Sequence, residues 1–267
     1  MKTKFPSSKT SCGLITILTL FGLMLIGALE IQAQTVQAKN IVIVHGAFAD
    51  GSGWRGVYDI LSKKGYNITV VQNPCSSLKD DVAATNLALD KQDGPVVLVG
   101  HSWGGTVITQ AGVHPKVASL VYLSGFQPDK GENTIKWASS LPAAPENGLM
   151  APDDKGYVYY SKEKFHEGFA ADLDKKDTDF MYASQGFIFG ECFATPVTEA
   201  AWKNKPSFAV VPTDDKSINP DILRNMYKRS GSIVTELKSS HVSYISHPDI
   251  ISEVIIKASK STNLKEK

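Results

Sequence analysis

Pro95-Val96-Val97-Leu98-Val99-Gly100-His101-Ser102-Trp103-Gly104-Gly105 is the stretch whose reading decides the fold. Four consecutive apolar residues, three of them β-branched, predict a short strand covered on both faces, as in a parallel sheet. A Gly-x-Ser-x-Gly follows, and Thr106-Val107-Ile108-Thr109-Gln110-Ala111 then begins a helix. A serine between a strand end and a helix start sits on a cramped turn, and the flanking glycines remove the β-carbons that would collide there. Such a turn lifts the hydroxyl out of the sheet beside unpaired helix N-terminal amides, where developing negative charge is favoured. A nucleophilic serine needs those surroundings.

The same rhythm extends on both sides. Ile41 to Val44 predicts a buried strand that runs into His45-Gly46-Ala47-Phe48. A helix over Trp54–Lys63 follows, opened by Asp50 or Ser52 and stopped at Gly65. A strand over Asn67–Val71 precedes a helix opened by Ser76 or Ser77 and closed by Asp93-Gly94-Pro95. Past the central serine, Val117–Ser124 is a further strand. Strand and helix in alternation predict an α/β fold, a mostly parallel, doubly wound sheet with helices on both faces. The alternation lapses over 128–196, where prolines, glycines and charges mix with aromatics; Phe165, Phe169 and Leu173 stand at helical spacing. That insertion reads as a helical cap over the strand ends. The sheet resumes at Phe208–Val211, followed by a turn through Asp214 and Asp215, a helix to Arg229, a strand over Ser232–Leu237 and a closing helix over Pro248–Ala258.

The N-terminus has a separate reading. Lys2, Lys4 and Lys9 precede an apolar run from Leu14 to Leu29, and Ala33 offers a cleavage point. This predicts a signal peptide over 1–33 and an exported chain, periplasmic or secreted, with no stable membrane association after cleavage. Cleavage removes three lysines and one glutamate, taking the formal net charge from +1 to −1. A charge so close to zero gives no electrostatic reason to expect nucleic acid as a partner. The remainder, 34–267, is the length of a single domain. It keeps Cys75 and Cys192, whose pairing the sequence leaves open. No His-x-x-x-His or Cys-x-x-Cys spacing suggests a metal.

In open parallel sheets, ligands bind beyond the carboxyl ends of the strands. Ser102 follows the central strand, Asp214 and Asp215 follow the strand at Phe208, and His241 follows the last one. A serine hydroxyl needs a base to take its proton, and a histidine needs an acid to fix its tautomer. Of six histidines, His45 and His101 stand beside the loop after the first strand and the elbow and do not reach Ser102 from the right side, His114 and His247 precede prolines, and His166 lies in the cap. His241 alone combines a post-strand loop with the chain order serine, acid, histidine.

These residues carry a family resemblance. His45-Gly46-Ala47-Phe48-Ala49-Asp50-Gly51-Ser52-Gly53-Trp54, the Gly100–Gly105 elbow and Ser240-His241 resemble the α/β-hydrolase superfamily over almost all of the mature chain. The chain looks most like small bacterial serine esterases of the plant methylesterase and hydroxynitrile lyase group. The resemblance implies an α/β-hydrolase fold and favours Asp215 over Asp214 as the acid, because Pro220 lies five residues beyond it. It also implies an oxyanion hole from the amides of Ala47 and Trp103, and no cofactor. The resembling lyases carry lysine and threonine where this chain has Val242 and Gly46, which disfavours cyanohydrin chemistry. Phe48, Trp103, Phe126 and the cap aromatics are expected to line an apolar pocket for a small-molecule ester. Perhydrolase or amidase chemistry is an alternative on the same residues. A slow or non-catalytic ligand-binding protein on a hydrolase scaffold is the alternative from another class.

Overall fold

The computed structural model describes residues 1–4 and 37–261. The expected signal peptide, save its first four residues, lies outside the described residues. Among those described, no helix is long and apolar enough to cross a membrane.

Six strands form one sheet: β1 (Asn40–Val44), β2 (Asn67–Val71), β3 (Val96–His101), β4 (Val117–Leu123), β7 (Ser207–Pro212) and β8 (Ile233–Leu237). Their order is β2-β1-β3-β4-β7-β8, and every pairing is parallel. Val42 stands opposite Leu98 and Leu98 opposite Leu120, so the apolar runs form one continuous layer. All residues of β1, β3, β4 and β7 are buried, because helices cover both faces. Chain direction explains those two layers. From β1 the chain moves one way to β2 through α1 (Arg55–Lys63), then returns past β1 through α2 (Leu78–Asp90) to β3. Right-handed crossovers running in opposite directions place their helices on opposite faces. Accordingly α1 packs with α10 (Pro248–Lys260), whereas α2 packs with α3 (Trp103–Ala111). The winding reverses between β1 and β3, and a crevice at that reversal is where such sheets take ligands.

Helix boundaries follow local chemistry. Ser77 caps α2 by accepting from the Asp80 amide at 3.0 Å. Asp50 caps a 3₁₀ turn over Gly51–Trp54 that leads into α1. Pro220 opens α8 (Pro220–Ser230), and Gly231 ends it in the left-handed conformation that favours glycine. Most boundaries fall within two residues of expectation, and the start of the helix after the serine differs by three. Helix α3 begins at Trp103, directly after the serine, because the elbow feeds it without a linker.

Residues 134–194 lie between β4 and β7 and hold α4 (Thr134–Ala138), α5 (Lys162–Phe169), α6 (Lys175–Ala183) and α7 (Glu191–Ala194). They also hold an antiparallel pair, β5 (Tyr157–Val158) with β6 (Ile188–Phe189). Phe165 and Phe169, spaced four apart, stack with ring centroids 5.0 Å apart, and Tyr160 meets both edge-on. A short helix α9 (Ser243–Ser246) connects the last strand to α10. Cys75 and Cys192 are both buried and free; the Cys192 thiol donates to the Cys75 carbonyl at 3.4 Å. Burial pushes the Cys192 thiol up to about 12.

Candidate active site

Ser102 occupies the turn between β3 and α3 with φ 51° and ψ −117°, a conformation that L residues rarely adopt. The turn closes only because two neighbours lack side chains. A β-carbon on Gly100 would lie 2.4 Å from the Gly104 carbonyl oxygen, and one on Gly104 would lie 2.5 Å from that of Val44. The serine amide donates to Leu123 at 3.0 Å, and its carbonyl accepts from Gly105 and Phe126. Fixed at three backbone points, the side chain projects above the sheet at the mouth of the reversal between β1 and β3.

The histidine and the acid arrive from the far strands. His241 follows β8 and is almost fully buried; its Nδ1 lies 2.7 Å from Asp215 Oδ2. The other Asp215 oxygen accepts from the amides of Ser217 at 2.8 Å and Ile218 at 2.9 Å. A carboxylate only accepts, so Nδ1 carries a proton in this contact, and Nε2 is the ring nitrogen that the pairing leaves free. Asp214 points to solvent, while Asp215 is buried. The adjacent acids therefore have different environments: Asp215 meets the histidine and Asp214 does not.

Ser102 and His241 line one cavity of about 110 Å³, and among the described residues no hydrogen bond joins their side chains. Such contacts often tighten only around substrate. Ala47, Phe48, Phe126, Ile135, Leu149, Tyr160, Phe169, Phe193 and Ile218 supply its apolar wall. Among the described residues, neither the Ala47 amide nor the Trp103 amide donates a hydrogen bond. Trp103 opens α3, so its N–H is one of the unpaired helix-terminal donors. Phe48, at φ 60°, turns the β1 loop over the cavity and packs edge-on against Tyr160 and Phe169.

One expected wall residue is elsewhere. The Trp103 side chain does not line the cavity. Its indole N–H donates to Asp81 at 2.7 Å, and its ring meets Phe193 edge-on at 5.6 Å. A buried indole N–H needs an acceptor, and Asp81 beneath the elbow provides it. Burial pushes the Asp81 carboxyl up, against the hydrogen bonds from Trp103 and the Cys75 amide that pull it down. Sequence reasoning missed Asp81, which sits in the first turn of α2 with no motif around it. It missed Asp172 too. That carboxylate, between α5 and α6, accepts from the Ser240 amide, the Ser240 hydroxyl and the Ser246 hydroxyl, tying the histidine loop to the inserted segment.

The chain is 27% identical to a pyrethroid hydrolase of Sphingobium wenxiniae, over 81% of this chain and 86% of that one. It is 21% identical to methylesterase 8 of Arabidopsis thaliana, over 85% and 91%. The crystal structure of polyneuridine aldehyde esterase shares its fold, with a TM-score of 0.73 at 18% identity, covering 84% of this chain and 100% of that one. Residues 41–254 match the model of the alpha/beta hydrolase family, and the chain belongs to that family, within which it resembles the methylesterase group.

Proposed function

We propose that this protein is a serine hydrolase that cleaves small, uncharged carboxylic esters through an acyl-enzyme. The observation that carries the reading is the meeting, on one apolar cavity, of a strained serine, a histidine paired with a buried aspartate, and two undonated amides. Ser102 Oγ attacks the ester carbonyl while His241 Nε2 takes its proton. The C–O bond to the alcohol breaks as His241 returns that proton to the leaving oxygen. Water then repeats the sequence on the acyl-enzyme and frees the acid. Asp215 holds the tautomer and stabilises the imidazolium, and the amides of Ala47 and Trp103 receive the oxyanion. Each such donor is typically worth on the order of 10²–10³ in rate. The basic and apolar N-terminal sequence supports export, to the periplasm or the medium.

The cavity wall supports the substrate class. Among the described residues, His241 is its one histidine, and no lysine, arginine, aspartate or glutamate lines it. Its polar side chains are engaged with one another. Ser217 Oγ donates to Gly168 and sits 3.2 Å from Tyr160 Oη, Asn147 donates to the Ser217 carbonyl, and Thr134 pairs with Thr106. A charged substituent entering there loses its water and gains no partner. Matched esters that differ only in carrying a neutral, a carboxylate or a quaternary ammonium group test this. The neutral ester is expected to have a kcat/KM at least about 100-fold higher than either charged one. Equal turnover of a charged ester overturns the assignment of substrate class.

A further inference from the structure

We propose that His101, the residue immediately before the nucleophile, is a positioning residue that holds the main chain of the general base. The proposal rests on the serine-hydrolase reading above. His101 is fully buried at the end of β3, and its Nε2 lies 3.0 Å from the carbonyl oxygen of His241. A carbonyl only accepts, so the proton is on Nε2 of His101. Its Nδ1 has no partner among the described residues. Burial, followed by the charge that His241 acquires, holds the His101 imidazole well below its usual range. His101 therefore stays neutral when its neighbour takes the serine proton.

Four further contacts show how fully the base is held. Ser124 Oγ donates to the same His241 carbonyl at 3.2 Å. Ser124 directly follows β4, the strand beside β3, and takes a positive φ of 46° there. The His241 ring meets two others, with the His101 ring centroid at 4.7 Å and that of Phe169 at 5.1 Å. Asp215 fixes the ring nitrogen from below. Ser239–Val242 belongs to no strand or helix, so this loop relies on outside anchors for its place. Asp172 holds the Ser240 amide and the Asp214 amide donates to the Ser239 carbonyl, but the ring anchor on the His241 carbonyl itself comes from the residue covalently joined to Ser102. Nucleophile and base thus share one frame, and displacements of about 1 Å in such frames can cost about 100-fold in rate.

Two substitutions separate this role from packing. His101→Leu fills the space without a donor, whereas His101→Gln carries an amide N–H to about the position of Nε2. Titration to completion with a fluorophosphonate counts the competent sites, and kcat and KM on a neutral nitrophenyl ester are then expressed per site. His101→Leu is expected to lower kcat about 10- to 100-fold with KM changed less than about twofold, and His101→Gln to recover most of that loss. A His101→Leu enzyme with unaltered kcat overturns the proposal, as does a glutamine variant no better than leucine. If His101→Leu gives no titratable protein, Ser124→Ala reads the same carbonyl. A kcat lowered about two- to fivefold at constant KM supports the role, and an unchanged kcat overturns it. A wild-type protein that takes up no phosphonate refutes the serine-hydrolase reading itself. Wild-type labelling with undisturbed variants refutes only the positioning role.

Discussion

Ser102→Ala is expected to lower kcat/KM on a short-chain nitrophenyl ester by on the order of 10⁴-fold or more while leaving Tm within a few degrees of wild type. The two halves of that expectation have separate causes. In the proposed mechanism the hydroxyl is the atom that forms the acyl bond, and no other hydroxyl among the described residues of the cavity wall is assigned a base. Ser217 and Thr134 line the cavity as well, but their hydroxyls are engaged with Gly168 and with Thr106. Stability is spared because the contacts that fix the elbow run through the backbone of Ser102: its amide to Leu123, its carbonyl to Gly105 and Phe126. Alanine keeps all of them. Turnover retained by the folded variant would remove Ser102 as nucleophile.

Asp215→Asn is expected to cost about 10³–10⁴-fold in kcat, and Asp214→Asn less than about twofold. Asparagine keeps the shape of the side chain and turns its amide toward His241 Nδ1. A donor facing that nitrogen moves the imidazole proton to Nε2, where it faces the serine and cannot accept a second. The amides of Ser217 and Ile218 favour this orientation, because they keep an oxygen at the Oδ1 position. Asp214 is exposed and makes no contact with the histidine, so its change alters only a solvated charge. Steady-state kinetics on the two purified variants decides the matter. Small and equal effects would place the acid elsewhere.

The sheet was legible because its signal is local. Val96–Val99 and Ile41–Val44 are apolar on both faces, as only a strand covered on both sides requires, and the turns between elements carry glycine or proline. The elbow was legible because steric crowding leaves few residue types for it. The choice between Asp214 and Asp215 was not local. Neighbouring residues in a turn point in different directions, and only the tertiary position of β8 decides which one meets the histidine. The resemblance favoured Asp215 through Pro220, and the geometry pairs Asp215 with His241. Trp103 was misplaced for a related reason. Hydrophobicity suggests a cavity wall, but its indole N–H has to be satisfied, and Asp81 lies beneath the elbow in space while being distant in sequence. Within the insertion, the four-residue spacing of Phe165 and Phe169 was readable, and Phe169 reaches the cavity. Asp172 left no such mark, because a lone carboxylate between helices reads as a solvated surface charge.

Covalent capture tests most directly whether one serine out of many is activated. Wild-type protein treated with a fluorophosphonate, digested and mapped by mass spectrometry is predicted to carry one adduct, on the peptide containing Ser102, formed faster than on the Asp215→Asn variant. An adduct on Ser124, Ser217 or Ser240 instead, or none on the folded protein, would contradict it.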